Sequence, residues 1–81
     1  MAETFSRVLK IIKPFARNQE ALAQVGPETK ILEDLKVNSA RLVDIILEME
    51  NEFDIELGDD DADQVRTVGD AVRIIEGKIA A

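Results

Sequence analysis

The sequence predicts an all-α protein, in its simplest form a small four-helix bundle with three main helices and one short one. Three observations predict it. Apolar residues recur at helical spacing in three stretches, from Phe5 to Ile12, Leu42 to Phe53 and Val68 to Ile79. No stretch alternates apolar and polar residues with the period of two that a half-buried strand needs. The chain has 81 residues, 46% of them apolar, which suits a single domain over residues 1–81 with one thin core.

Taken in order, Thr4 is a candidate cap for a first helix that buries Phe5, Val8, Leu9 and Ile12. Pro14 lacks a backbone donor and restricts Lys13, so this helix stops or kinks there. Between Phe15 and Val25 the apolar positions Ala16, Leu22 and Val25 leave helix and loop both open, and Gly26-Pro27 signals a turn. Thr29 to Val37 reads as a loop anchored by Ile31, Leu32 and Leu35. A second helix starts near Asn38-Ser39 and runs to about Glu52, with Leu42, Ile45, Ile46, Met49 and Phe53 facing the core. Gly58 marks a break, and Asp59 to Val65 forms a short helical turn with acids at its N-terminal end. Thr67-Val68-Gly69-Asp70 reads as a capping box with aspartate in the usual glutamate place. The last helix then buries Val68, Ala71, Val72, Ile75 and Ile79.

Composition narrows the function classes. There is no cysteine and no histidine. That removes disulfides, thiolate nucleophiles, the usual metal ligands and the usual general base. Only Phe5, Phe15 and Phe53 are aromatic, a poor stacking platform for single-stranded nucleic acid. The net charge of −7 repels a phosphate backbone. No apolar run exceeds three residues, too short for a membrane span or a secretory core. The expectation is a cytoplasmic monomer that binds no nucleic acid. A stand-alone enzyme is disfavoured, because so short a chain lacks the deep pocket that would separate the pKa values of its carboxylates.

The charge is uneven. Residues 1–27 carry Arg7, Lys10, Lys13 and Arg17 against only Glu3 and Glu20. That basic face is either a balance for the acidic remainder or a weak membrane anchor. From Asp44 to Asp63 there are ten acids and no base. Such a run is either a solvated face or a surface for a basic partner. Val43 and Leu47 lie one turn apart beside the main apolar stripe of the second helix, near Asp44, Glu48 and Glu52 at successive i, i+4 positions. Like charges at that spacing cost about 0.2–0.5 kcal/mol per pair. Val43 and Leu47 therefore either widen the core stripe or form a docking strip rimmed by acids.

Of the two serines, Ser6 falls in the first helix and Ser39 where a loop enters the acidic helix. Ser39 is either an N-cap, as is Asn38, or a hydroxyl placed where a phosphate ester meets unpaired N–H groups and the positive end of the helix dipole. The segment Glu33-Asp34-Leu35-Lys36-Val37-Asn38-Ser39, then Val43-Asp44 and Glu50 to Leu57, resembles the acyl carrier protein family. So do Asp59-Asp60-Asp61-Ala62-Asp63 and Thr67-Val68-Gly69-Asp70-Ala71. The resemblance covers roughly residues 28–79, and it rests on several motifs in order.

The resemblance implies a bundle of acyl-carrier type and a non-catalytic role. It implies that Ser39 receives 4′-phosphopantetheine from coenzyme A, through a separate magnesium-dependent phosphopantetheinyl transferase. Acyl cargo then rides as a thioester, which agrees with a chain that has no thiol of its own. Asp44, Glu48 and Glu50 would meet basic residues of the transferase and of acyl synthases or acyltransferases in fatty acid, lipid or related biosynthesis. Val43 and Leu47 would form the apolar centre of that contact. Asn38-Ser39-Ala40 replaces the family's Asp-Ser-Leu, Arg41 brings a positive charge, and Lys36 replaces a common glycine. These departures point to a specialised carrier with dedicated partners. Two rivals remain. One is a carrier-fold adaptor that never receives the arm. The other is a calcium module, since Asp59, Asp61 and Asp63 are spaced like the start of an EF-hand loop, although Gln64 and Asp70 stand where glycine and glutamate belong.

Overall fold

The computed structural model describes residues 2–80. Three long helices carry it: α1 (Ala2–Ile12), α3 (Leu42–Phe53) and α5 (Val68–Ala80). Two short ones, α2 (Gln19–Ala23) and α4 (Asp59–Asp63), lie between them, and two 3-10 turns span Lys13–Phe15 and Ser39–Arg41. Among the described residues there is no strand, only an isolated bridge between Lys30 and Thr67. The all-α expectation holds, with one short helix more than the sequence predicted.

Pro14 acts as its chemistry requires. The α-helix ends at Ile12 and the chain tightens into a 3-10 turn containing the proline. Thr4 does not cap α1, because the helix already includes Ala2. Only five residues between Phe15 and Val25 are helical; Asn18 caps them by accepting the Ala21 N–H at 3.1 Å. The capping box at α5 is reciprocal: Thr67 Oγ1 accepts from Asp70 N at 3.0 Å, and Asp70 Oδ2 accepts from Thr67 N at 3.1 Å. Asp61 does the same service for α4, accepting the Gly58 N–H at 3.1 Å.

The core gathers Val8 and Ile12 of α1, Ile45, Ile46, Met49 and Phe53 of α3, and Val68, Ala71, Val72 and Ile75 of α5. Ile31 and Leu35, the predicted loop anchors, are fully buried among them, and Leu32 packs against this core half-buried. Ala16, Val37 and Val65 are buried too; each sits in irregular chain, where no periodicity marks it. Ile79 lies on the apolar face of α5 but is 53% exposed, so the apolar stripe of that helix extends past the core.

The long loop before α3 is laced to the start of α5. Ile31 N donates to Arg66 O at 2.9 Å, Val68 N to Thr29 O at 3.0 Å, and Gly69 N to Pro27 O at 2.8 Å. A Cβ built on Gly69 would stand 2.7 Å from the Pro27 carbonyl oxygen, so only glycine lets the two backbones approach this closely.

Candidate functional site

Ser39 is reached through a loop whose shape is set residue by residue. Asp34 folds back to accept the Lys30 N–H at 2.8 Å, while Leu35 plugs the core. The Leu35 carbonyl accepts from both Arg17 N and Asn18 N, at 3.0 and 3.1 Å, and the Asn18 amide donates to Asp34 O at 2.9 Å. This loop is thereby fixed to the chain that follows α1. Lys36 then takes φ 56°, a left-handed conformation that costs a residue with a Cβ about 1–2 kcal/mol. Glycine, which the resemblance leads one to expect there, adopts that conformation without the cost. Val37 returns to the core, and the chain emerges at Asn38.

Asn38 and Ser39 divide the tasks that the sequence left open between them. Asn38 is the cap: its extended backbone and its Oδ1, accepting from Ala40 N at 2.9 Å, start the 3-10 turn that leads into α3. The α-helix proper begins three residues later than the sequence suggests, at Leu42. Ser39 is exposed, and its hydroxyl has no hydrogen-bond partner among the described residues. Two exposed residues follow it, Ala40 and Arg41, and Arg41 Nη1 pairs with Asp44 at 3.1 Å.

Val43 and Leu47 do not widen the core. They are 63% and 52% exposed, on the face of α3 turned away from it. At roughly 100° per residue, Asp44 and Glu48 follow on one side of this pair and Glu50 lies on the other. The acids are less alike than the sequence suggests. Glu50 is half-buried, and its Oε2 accepts the Leu57 N–H at 2.8 Å, closing the loop after α3. Asp44 has Arg41, and Glu52 has Arg7 of α1, whose guanidinium bonds the Glu52 carboxylate at 3.0 Å and the Glu52 carbonyl at 2.9 Å. The expected repulsion along Asp44, Glu48 and Glu52 is therefore relieved at both ends. One of the two cations comes from another helix, 45 residues away, where helical spacing gives no hint of it. Glu48 has no cation within 4 Å among the described residues.

The acids of α4 do not assemble into an ion site. Asp59, Asp61 and Asp63 lie on a helix, not in an EF-hand loop, and Asp61 is taken by Gly58 N and by Lys78 of α5 at 3.0 Å. The Lys78 bond, then the Gly58 bond, hold the Asp61 carboxyl below its ordinary pKa. Among the described residues no group of three or more acids is placed to hold a metal. The Thr67 N–H, with Arg73 adding to it, lowers Asp70 likewise. No helix is long and apolar enough to cross a membrane among the described residues.

Two comparisons decide the family of this chain. The model of the family described as "Phosphopantetheine attachment site" matches residues 2–75. The chain belongs to the acyl carrier protein family of phosphopantetheine-bearing carriers. A solved acyl carrier protein from Enterococcus faecalis is similar at 34% identity and a TM-score of 0.78, with 95% of each chain covered. The cofactor of this carrier is 4′-phosphopantetheine. The family match includes residues 2–27, where the sequence offered only an amphipathic helix and a loop.

Proposed function

We propose that Ser39 is the attachment residue and that the chain is a non-catalytic carrier presenting acyl groups to serial partner enzymes. The observation that carries this reading is the division at the helix head: Asn38 supplies the cap, and the Ser39 hydroxyl is left exposed and unbonded. A serine serving stability alone would be bonded to the first turn. The residues fit the group. Ser39 stands at the start of the turn that leads into α3, where the positive end of the helix dipole favours a phosphate ester. When attached, the arm supplies the thiol that the sequence lacks. In the loading step Ser39 Oγ loses its proton to the transferase and forms the new bond to phosphorus, while the nucleotide part of coenzyme A departs.

In this reading partners approach along Val43 and Leu47, with Asp44, Glu48 and Glu50 facing basic residues of the transferase and of acyl synthases or acyltransferases. The exposure of Val43 and Leu47 supports that contact, and Glu48 is the acid with most freedom to make it. The Arg41–Asp44 pair and the engaged Glu50 support a specialised member with dedicated partners, in the cytoplasm, where a chain without cysteine loses nothing. The test is intact-mass analysis after incubation with coenzyme A, magnesium and a broad-specificity phosphopantetheinyl transferase. The expected result is a gain of one phosphopantetheine by the native chain and none by Ser39→Ala, with helicity unchanged. No gain by the native chain, or the same gain by the variant, overturns the proposal.

A further inference from the structure

A cleft of about 270 Å³ opens beside Ser39, lined by Pro14, Phe15, Ala16 and Arg17 on one wall and by Asn38 and Arg41 on the other. The two residues of the second wall stand on either side of Ser39 in the chain, which puts the serine next to this wall. The lining includes two arginines and no acid, in a protein of net charge −7. Arg17 has no carboxylate within 4 Å among the described residues, and the bond from its N–H to Leu35 O holds its backbone against the loop that leads to the serine. Arg41 is held at the head of α3 by Asp44. Pro14, Phe15 and Ala16 complete the lining, and the exposed surface of the cleft is more polar than apolar.

Resting on the attachment reading, we infer that this cleft is a docking subsite for the root of the arm. Its phosphodiester lies between Arg17 and Arg41, and the geminal dimethyl group next to the phosphate packs on Phe15 and Ala16. A single negative charge followed by a branched hydrocarbon matches two arginines in a mainly polar cleft that also includes Phe15 and Ala16. Arg41, the least expected residue at the head of the acidic helix, and Pro14, the awkward one after α1, then serve one purpose. The arm leaves the serine along the turn after α1 rather than straight into solvent. Cargo is thereby presented from a fixed side of the molecule.

The experiment is solution NMR of the loaded protein, with loading checked by intact mass. In the native holo-protein the Nε–Hε resonances of Arg17 and Arg41 shift relative to the apo-protein, and the arm's methyl protons give nuclear Overhauser effects to Phe15 and Ala16. In holo Arg17→Gln these effects fall at least twofold, and Arg17→Lys, which keeps the charge, restores most of them. Arg17 lies on the wall opposite α3, so this variant reports on the cleft even where Arg41→Gln loads poorly. A loaded native protein whose arm shows no such contacts, with methyl and ³¹P resonances identical to those of Arg17→Gln, overturns the subsite and leaves the attachment reading standing. A native chain that never gains the mass overturns both.

Discussion

The two ends of α3 are built on opposite terms. The C-terminal end is secured several times over. Phe53 is buried with the Arg7 guanidinium 4.2 Å above its ring, Arg7 also bonds Glu52 twice, Glu50 closes the following loop, and Asp54 turns the chain at φ 54°. The N-terminal end rests on one side-chain cap from Asn38 and one exposed ion pair, and presents Ser39, Ala40 and Val43 to solvent. A helix needs only one end fixed to hold its axis against the core. The free end then keeps a hydroxyl and apolar side chains available to other molecules, and what it forgoes is local stability.

Substitutions at the two ends should separate stability from function. Phe53→Ala should have the largest effect on folding, about 3–5 kcal/mol lost in urea unfolding, since it removes a buried ring and the seat of Arg7. Arg7→Gln should cost about 1–2 kcal/mol, because its ion pair is partly exposed and its ring contact adds a similar amount. At the other end, Asn38→Ala should cost about 1 kcal/mol, the usual loss of a cap. Val43→Ala and Leu47→Ala should stay within about 0.5 kcal/mol, as exposed positions do. If Val43→Ala proved as damaging to folding as Phe53→Ala, the contrast between the ends would be wrong. In binding the order reverses. Asp44→Lys should weaken association with a basic partner several-fold at low salt and progressively less as salt is raised, measured by calorimetry.

A pH series sharpens the same contrast from α5, which braces the secured part of the bundle. The Asp70 carboxyl is held below its ordinary range, first by the Thr67 N–H and then by Arg73. Its folded pKa is lower than its unfolded one. Its contribution is therefore complete above about pH 4 and is lost as pH falls through the folded value. The stability difference between the native chain and Asp70→Ala should be present at neutral pH and should shrink in acid. A difference that grew below pH 4 would contradict the capping box. Lys36→Gly should have the opposite sign, a gain of about 0.5–1 kcal/mol in urea unfolding, since it removes the left-handed strain but adds freedom to the unfolded chain.

The sequence by itself determined the class of fold, the three long helices, the stop at Pro14, the capping box at Thr67 and the anchors Ile31 and Leu35. All of these follow from periodicity, a missing donor or a local hydrogen bond, which short segments carry within themselves. It also placed Ser39 at a helix head, and the order of motifs around that serine carried the family resemblance. Tertiary structure alone decided that Asn38 caps while Ser39 is left unbonded, that Val43 and Leu47 face outward, and that Ile79 is uncovered. It alone paired Glu52 with Arg7 and set Arg17 across from Arg41. These outcomes depend on which elements come to lie against each other, and spacing along one helix holds no record of a neighbour brought from a distant part of the chain.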